Sequence, residues 1–144
     1  MIVIGNDHAG IELKKHIMKY FDDNNIEYIN TGCNEGEKCE YPNAAKKACD
    51  YIVEGKAEKG ILICGTGIGI SMAANKVKGI RAAAVSDYFS AKYTRLHNDA
   101  NVLCIGARVV GDEYALELIN VFLNTEFEGG RHQARVDLIT ALEK

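Results

Sequence analysis

The chain has 144 residues, a net charge of −3, and 47% hydrophobic against 26% charged residues. That is one domain, large enough to build a core without disulfide or metal support. The mild negative charge excludes a nucleic-acid or anionic-membrane surface as the defining partner, and no apolar run reaches the roughly 18–20 residues of a membrane helix.

The opening "MIVIGNDHAG" lacks the basic start of a signal peptide and runs straight into a strand over 2–5, so a cytoplasmic location is expected. Residues 10–25 follow as a helix, with Leu13, Ile17 and Phe21 on one apolar face. A second strand spans 26–31, and a polar loop runs through Pro42, the only proline. A helix over 43–55, a buried strand over 60–64 and a helix over 68–77 come next. Then follow a strand over 79–86, a helix over 88–98, a strand over 102–106 and a helix over 112–124. "EGG" (128–130) breaks the chain before a last helix, about 131–143.

Alternating apolar strands and helices predict an α/β fold, a doubly wound, Rossmann-like three-layer sandwich. The expected sheet is parallel and five-stranded, in the order 2-1-3-4-5, with a C-terminal helix added. Residues 1–144 form a single domain. The tail 129–144 has no strand after its helix and is expected to lie on a partner subunit. Ligands in such folds sit beyond the carboxyl ends of the strands. Here that edge offers Asn6-Asp7-His8, Thr31-Gly32, Gly65-Thr66-Gly67, Ser86-Asp87 and Gly106-Ala107-Arg108.

Five cysteines at irregular spacing, with no C-x-x-C and no nearby His pair, predict free thiols and no zinc or other metal site. Cys49 and Cys104 read as small buried hydrophobes, while Cys33 and Cys39 lie in a polar loop.

"LICGTGIGIS" (62–71) is the informative stretch. Gly65-x-Gly67 after a strand and before a helix, with Asp87 about twenty residues on, suggests a dinucleotide. Ile70 stands where the third fingerprint glycine belongs, however, and no substrate domain accompanies the motif. A Walker A loop does not occur. The remaining readings share one physics: glycines turn backbone amides toward an anion, which is a phosphate or the oxyanion of an intermediate. Cys64 stands directly before this loop, and a helix N-terminus makes thiolate available. From the residues alone, a catalytic and a structural Cys64 both remain open.

Asp7 and His8 fall at the predicted ligand edge. His97-Asn98-Asp99 ends a helix, as a capping His⁺ or as a general acid or base. His16 reads as solvated. Arg131 and Arg135 share a helix face and suit a phosphate or an exposed stripe, and Arg108 follows the fifth strand. Together these residues suggest proton transfer beside a carbonyl of a small phosphorylated substrate, without a cofactor. A nucleotide-binding module and a catalytically silent sensor of that substrate are the rival classes.

"NDHAG" (6–10), "YPNAA" (41–45), "CGTGIGISMAANK" (64–76), "HNDANVLCIGARVVG" (97–111) and "EGGRHQARV" (128–136) run in order through nearly the whole chain. In this combination the chain resembles ribose-5-phosphate isomerase type B, a family that includes galactose-6-phosphate and allose-6-phosphate isomerases. The resemblance implies interconversion of ribose 5-phosphate and ribulose 5-phosphate through an enediolate. It implies that Cys64 moves the proton and that the backbone of Gly65, Gly67, Ile68 and Gly69 holds the enediolate oxygen. Thr66 would assist proton handling and His97 would open the furanose ring. Asp7, Tyr41 and Asn98 would bind sugar hydroxyls. His8, Arg131 and Arg135 would bind the phosphate, with Arg108 near it or near the sugar. A homodimer is implied, with each site built from both subunits and a dimer of dimers as a further step. Members lacking the cysteine carry a Glu base where this chain has Ile70. The loop 33–40 departs most from the family pattern.

Overall fold

The structure, a computed structural model, describes residues 1–143. Its elements are β1 (Ile2–Asn6), α1 (Ile11–Asp23), β2 (Tyr28–Asn30), α2 (Tyr41–Val53), β3 (Lys59–Cys64) and α3 (Ile68–Ala74). They continue with β4 (Ala82–Ala84), α4 (Tyr88–Leu96), β5 (Val102–Gly106), α5 (Asp112–Asn124) and α6 (Arg131–Thr140). A 3-10 turn over His8–Gly10 leads into α1. All pairings are parallel, as expected. Pro42 belongs to the first turn of α2, not to the loop before it. A proline's missing N–H costs nothing there and its fixed φ suits a helix start.

The sheet order is β2-β1-β3-β5-β4 rather than 2-1-3-4-5. Burial explains the exchange. All five residues of β5 are buried, whereas the three alanines of β4 are only half-buried or exposed. A strand apolar on both faces belongs in the interior of a parallel sheet, and a short strand of small residues suits an edge.

Strand parity splits the core into two layers. Ile61 and Ile63 of β3 meet Ile4, Ile17, Phe21, Leu103, Ile119 and Phe122 on the side of α1 and α5. Leu62 and Cys64 point the other way, among Val3, Ala45, Ala48, Ile70 and Cys104 on the side of α2 and α3. Ile61, Leu62 and Ile63 are fully buried, worth roughly 1.5–3 kcal/mol each. This anchors β3, so the thiol at its end stands on a rigid support. No helix among the described residues is long and apolar enough to cross a membrane.

Candidate active site

Cys64 is the last residue of the central strand β3 and is buried. The chain turns through Gly65-Thr66-Gly67 into α3. Gly67 has φ +81°, and a Cβ there would lie 2.9 Å from the carbonyl carbon of Ile105, so this turn requires glycine. The turn aims the Gly67 N–H at Cys64, donating to Sγ at 3.1 Å. Ile68 N–H donates to Thr66 Oγ1 at 3.2 Å, fixing the threonine side chain over the helix start. The first amides of any helix lack intrahelical acceptors, so this turn presents donors toward an anion. The end of β5 closes the base of the loop, with Ala107 N–H donating to Cys64 O at 2.9 Å and Arg108 N–H to Gly65 O at 3.0 Å.

Other predicted residues gather at this edge. A Cβ on Gly69 would lie 2.8 Å from the Tyr41 ring, and one on Gly65 would lie 3.1 Å from an Arg108 guanidinium nitrogen. Asn6 pairs with Ile63 in the β1–β3 register, and Asp7 N–H donates to Ile63 O at 3.1 Å. The Asp7 carboxylate accepts from Ala9 N–H at 2.9 Å and caps the 3-10 turn. His8 Nδ1 lies 3.3 Å from Cys39 O, which can only accept, so the proton sits on Nδ1 in this contact.

That carbonyl belongs to a loop whose chemistry departs from expectation. Cys33 and Cys39 form a disulfide with Cα atoms 5.9 Å apart, so only Cys49, Cys64 and Cys104 are free thiols. A six-residue spacing in a polar loop does not reveal that its ends meet. Two buried polar groups hold the loop. Asn6 Nδ2 donates to Cys33 O at 3.0 Å, and Lys14 Nζ donates to Cys33 O and, at 2.9 Å, to Asn34 Oδ1. Burial pushes the Lys14 ammonium below its ordinary range.

The other predicted residues lie elsewhere. His97 caps the C-terminus of α4, and the segment after it feeds the amino end of β5. Cys64 is in register with Gly106 at the carboxyl end of the same strand. With about 3.3 Å of rise per strand residue, β5 spans about 13 Å from Val102 to Gly106, so His97 and Cys64 lie at opposite edges of the sheet. Asn98 is at the His97 edge, lining an open cavity of about 600 Å³ with Ile80, Arg81, Thr94, Ile139 and Leu142. Arg131 and Arg135 are exposed on α6, whose His132 stacks on His97. The predicted residues thus fall into two groups. One comprises Asp7, His8, Tyr41, the Cys64–Gly69 turn and Arg108. The other comprises His97, Asn98, Arg131 and Arg135.

The other two free thiols lie in the core. Burial pushes the Cys49 thiol up to about 12 and raises that of Cys104 well above its ordinary value, as expected for core cysteines. Asp87 has a structural task. Its carboxylate accepts from Ser90 N–H at 2.8 Å as the N-cap of α4, a bond that lowers its pKa. His16 is tethered rather than merely solvated, with Nε2 3.2 Å from Glu113 Oε1 between α1 and α5. Sequence reasoning missed Lys14, and it gave no role to Glu128 and His132 within a block it had singled out. It also expected no metal cluster, yet His97, Glu128 and His132 bring three potential ligand atoms within 4.8 Å of one another.

A thiol beneath a turn of converging amides is suited to moving a proton beside a developing oxyanion, the work of an aldose–ketose isomerase. Comparison with known proteins gives the class of enzyme. The family model described as Ribose/Galactose Isomerase matches residues 2–139. Ribose-5-phosphate isomerase B of Escherichia coli is 46% identical over 143 residues, 99% of this chain and 96% of that one. The structure of ribose-5-phosphate isomerase B from Clostridium thermocellum superposes with a TM-score of 0.96 at 44% identity, covering 99% of this chain and 96% of that one. The Mycoplasma genitalium enzyme, solved with bound ribulose-5-phosphate, gives a TM-score of 0.94 at 41% identity over 99% and 95%. The chain belongs to the Ribose/Galactose Isomerase family, and it is a sugar-phosphate isomerase.

Proposed function

We propose that the protein interconverts ribose 5-phosphate and ribulose 5-phosphate, with Cys64 as the base. The observation that carries this reading is the Gly67 amide donating to Sγ within the glycine turn. As thiolate, Sγ takes the C2 proton of the open-chain aldose and returns it to C1. Charge develops on the carbonyl oxygen, which the amides of Gly65 to Gly69 receive. Thr66, with its hydroxyl fixed over the turn, exchanges protons with the substrate oxygens. Ile70 is fully buried and cannot act as a base, which leaves the thiol alone in that role. Asp7 and Tyr41 meet the sugar hydroxyls, and His8 and Arg108 lie at the same edge. The bound ribulose-5-phosphate of the Mycoplasma genitalium relative supports the choice of ligand.

The second of these groups acts from another copy of the chain. One His97 cannot reach the Cys64 of its own chain, and the Cys64 turn is bordered by exposed apolar side chains. Ile68, Met72 and Val109 are 52%, 64% and 57% exposed. A face of that kind is suited to a homodimer. The partner then supplies His97 to open the furanose, Asn98 to a hydroxyl, and Arg131 and Arg135 to the phosphate. In this reading the C-terminal tail delivers the arginines. α6 buries only His132 and Val136 on its own chain, and Leu138 within it and Leu142 just beyond it are 68% and 77% exposed.

Proton NMR in D₂O tests the substrate. Ribulose 5-phosphate forming from ribose 5-phosphate supports the reading. Conversion of allose 6-phosphate or galactose 6-phosphate with ribose 5-phosphate untouched would move the substrate to six carbons while keeping the chemistry. No turnover of any of the three would overturn it.

A further inference from the structure

Two stacked imidazoles share one carboxylate at the amino edge of the sheet. The rings of His97 and His132 have centroids 4.1 Å apart and planes inclined by 12°. Glu128 Oε1 is 3.9 Å from His97 Nε2, and Oε2 is 3.7 Å from His132 Nε2. Both separations are ion-pair distances and too long for hydrogen bonds. The backbone builds the cluster deliberately. Glu128 N–H donates to Leu96 O at 3.1 Å, tying this segment to the last turn of α4 just before His97. Gly129 and Gly130, at φ +71° and +56°, then reverse the chain so that His132 returns onto the same ring. Tyr93 also meets His97 edge-on, with centroids 5.0 Å apart.

The donor set of two imidazoles and a carboxylate resembles that of a divalent metal. The ring planes oppose that use. Nearly parallel planes held at stacking distance do not intersect within coordinating range, so the in-plane lone pairs of the two Nε2 atoms cannot meet on one ion. A shared carboxylate beside stacked rings is instead suited to placing one proton. Two imidazolium ions at this distance repel, so the two rings do not both hold a charge. His132 is the worse host. Burial pushes its imidazole below the ordinary 6.5, and the charges of His97, Arg131 and Arg135 add to this against the opposing Glu128.

We propose that Glu128 and His132 are positioning residues for His97: the stack fixes its ring and the carboxylate directs the shared proton to it, arming it as the acid–base group of ring opening. This rests on the role given to His97 above. The titratable groups against His97 are Tyr93 from its own helix, Glu128 from the segment before α6 and His132 from α6, while the charges of Arg131 and Arg135 act on His132.

The chemistry provides a readout that separates ring opening from isomerisation. Ribose 5-phosphate is mostly a closed furanose, whereas ribulose 5-phosphate has no free hydroxyl at C5 and stays open. Exchange of its C1 hydrogen with D₂O therefore reports on Cys64 alone. Glu128→Gln and His132→Gln should each lower kcat for ribose 5-phosphate by about tenfold or more, as expected for loss of a tuned acid–base group. Both should keep C1 exchange in ribulose 5-phosphate, which also shows that they fold. Glu128→Gln should move the alkaline limb of the ribose 5-phosphate profile to lower pH by about one unit, because the arming proton then loses its carboxylate, and Glu128→Asp should restore part of the rate. If His97→Asn shows the selective loss while the Glu128 and His132 variants keep wild-type rates and profiles, the positioning role is wrong. If His97→Asn itself turns over ribose 5-phosphate normally, the ring-opening role of His97 is wrong. If C1 exchange falls in step with turnover in the Glu128 and His132 variants, these residues support the structure of the site and the proposal also fails.

Discussion

The Gly67 amide donates to Cys64 Sγ at 3.1 Å, across a turn that only glycine can make. The strand end, the left-handed glycine and the helix start are one device, and it singles out one thiol among five cysteines. Cys64→Ala should lower kcat by about 10³-fold while KM changes only several-fold, because a base serves the transition state more than the ground state. Cys49→Ala should leave kcat unchanged. Steady-state kinetics decide this, and near-wild-type kcat in Cys64→Ala would contradict the assignment.

Gly67→Ala tests the turn itself. The left-handed conformation and the 2.9 Å approach to Ile105 together should cost about 1–3 kcal/mol, seen as a Tm lowered by several degrees. Activity should fall further than stability does, since the amide leaves the sulfur. An unchanged Tm would mean that the backbone relaxes freely there.

Arg135→Ala should raise KM for sugar phosphates by about 10- to 100-fold with kcat largely preserved, the signature of a charge-assisted contact to a group that does not react. An unchanged KM would remove Arg135 from the phosphate site.

The loop after β2 makes a chemical prediction. Titration of unreduced, denatured protein with a thiol reagent should find the three free cysteines, not five. Reduction should raise KM, because the bonded loop carries the Cys39 carbonyl that orients His8. Five reactive thiols, or a KM indifferent to reductant, would contradict this.

Stability should also respond to His132. Its folded pKa is depressed, so as pH falls below the ordinary 6.5 the unfolded chain takes up a proton before the folded one does. Stability therefore rises with pH through that window and is lost as pH falls toward the folded value. His132→Gln should flatten this slope in denaturant titrations between neutral and mildly acidic pH. An unaltered slope would show that other groups set it.

Much of this architecture was legible from apolar runs, because a parallel sheet writes each strand as a continuous buried segment. β5 and α5 fall where the periodicity predicts them. Strand order was not legible, since it depends on how buried β5 is relative to β4, a comparison between segments and not within either. The Cys64 turn was readable because its glycines, thiol and following helix are contiguous. The Cys33–Cys39 bond and the burial of Lys14 were not, because each depends on a loop folding back over α1. His132 was hidden for the same reason: only the reversal at Gly129 and Gly130 brings it to His97.

The central claim is that one site joins the Cys64 edge of one chain to the His97 edge of another. Mixing Cys64→Ala protein with His97→Asn protein, after dissociation and reassociation, tests it most directly. Each variant alone should be nearly inactive on ribose 5-phosphate. The mixture should recover up to about a quarter of wild-type activity, because half of the sites in a mixed symmetric dimer combine two intact halves. No recovery, from variants shown to exchange subunits, would contradict the shared site.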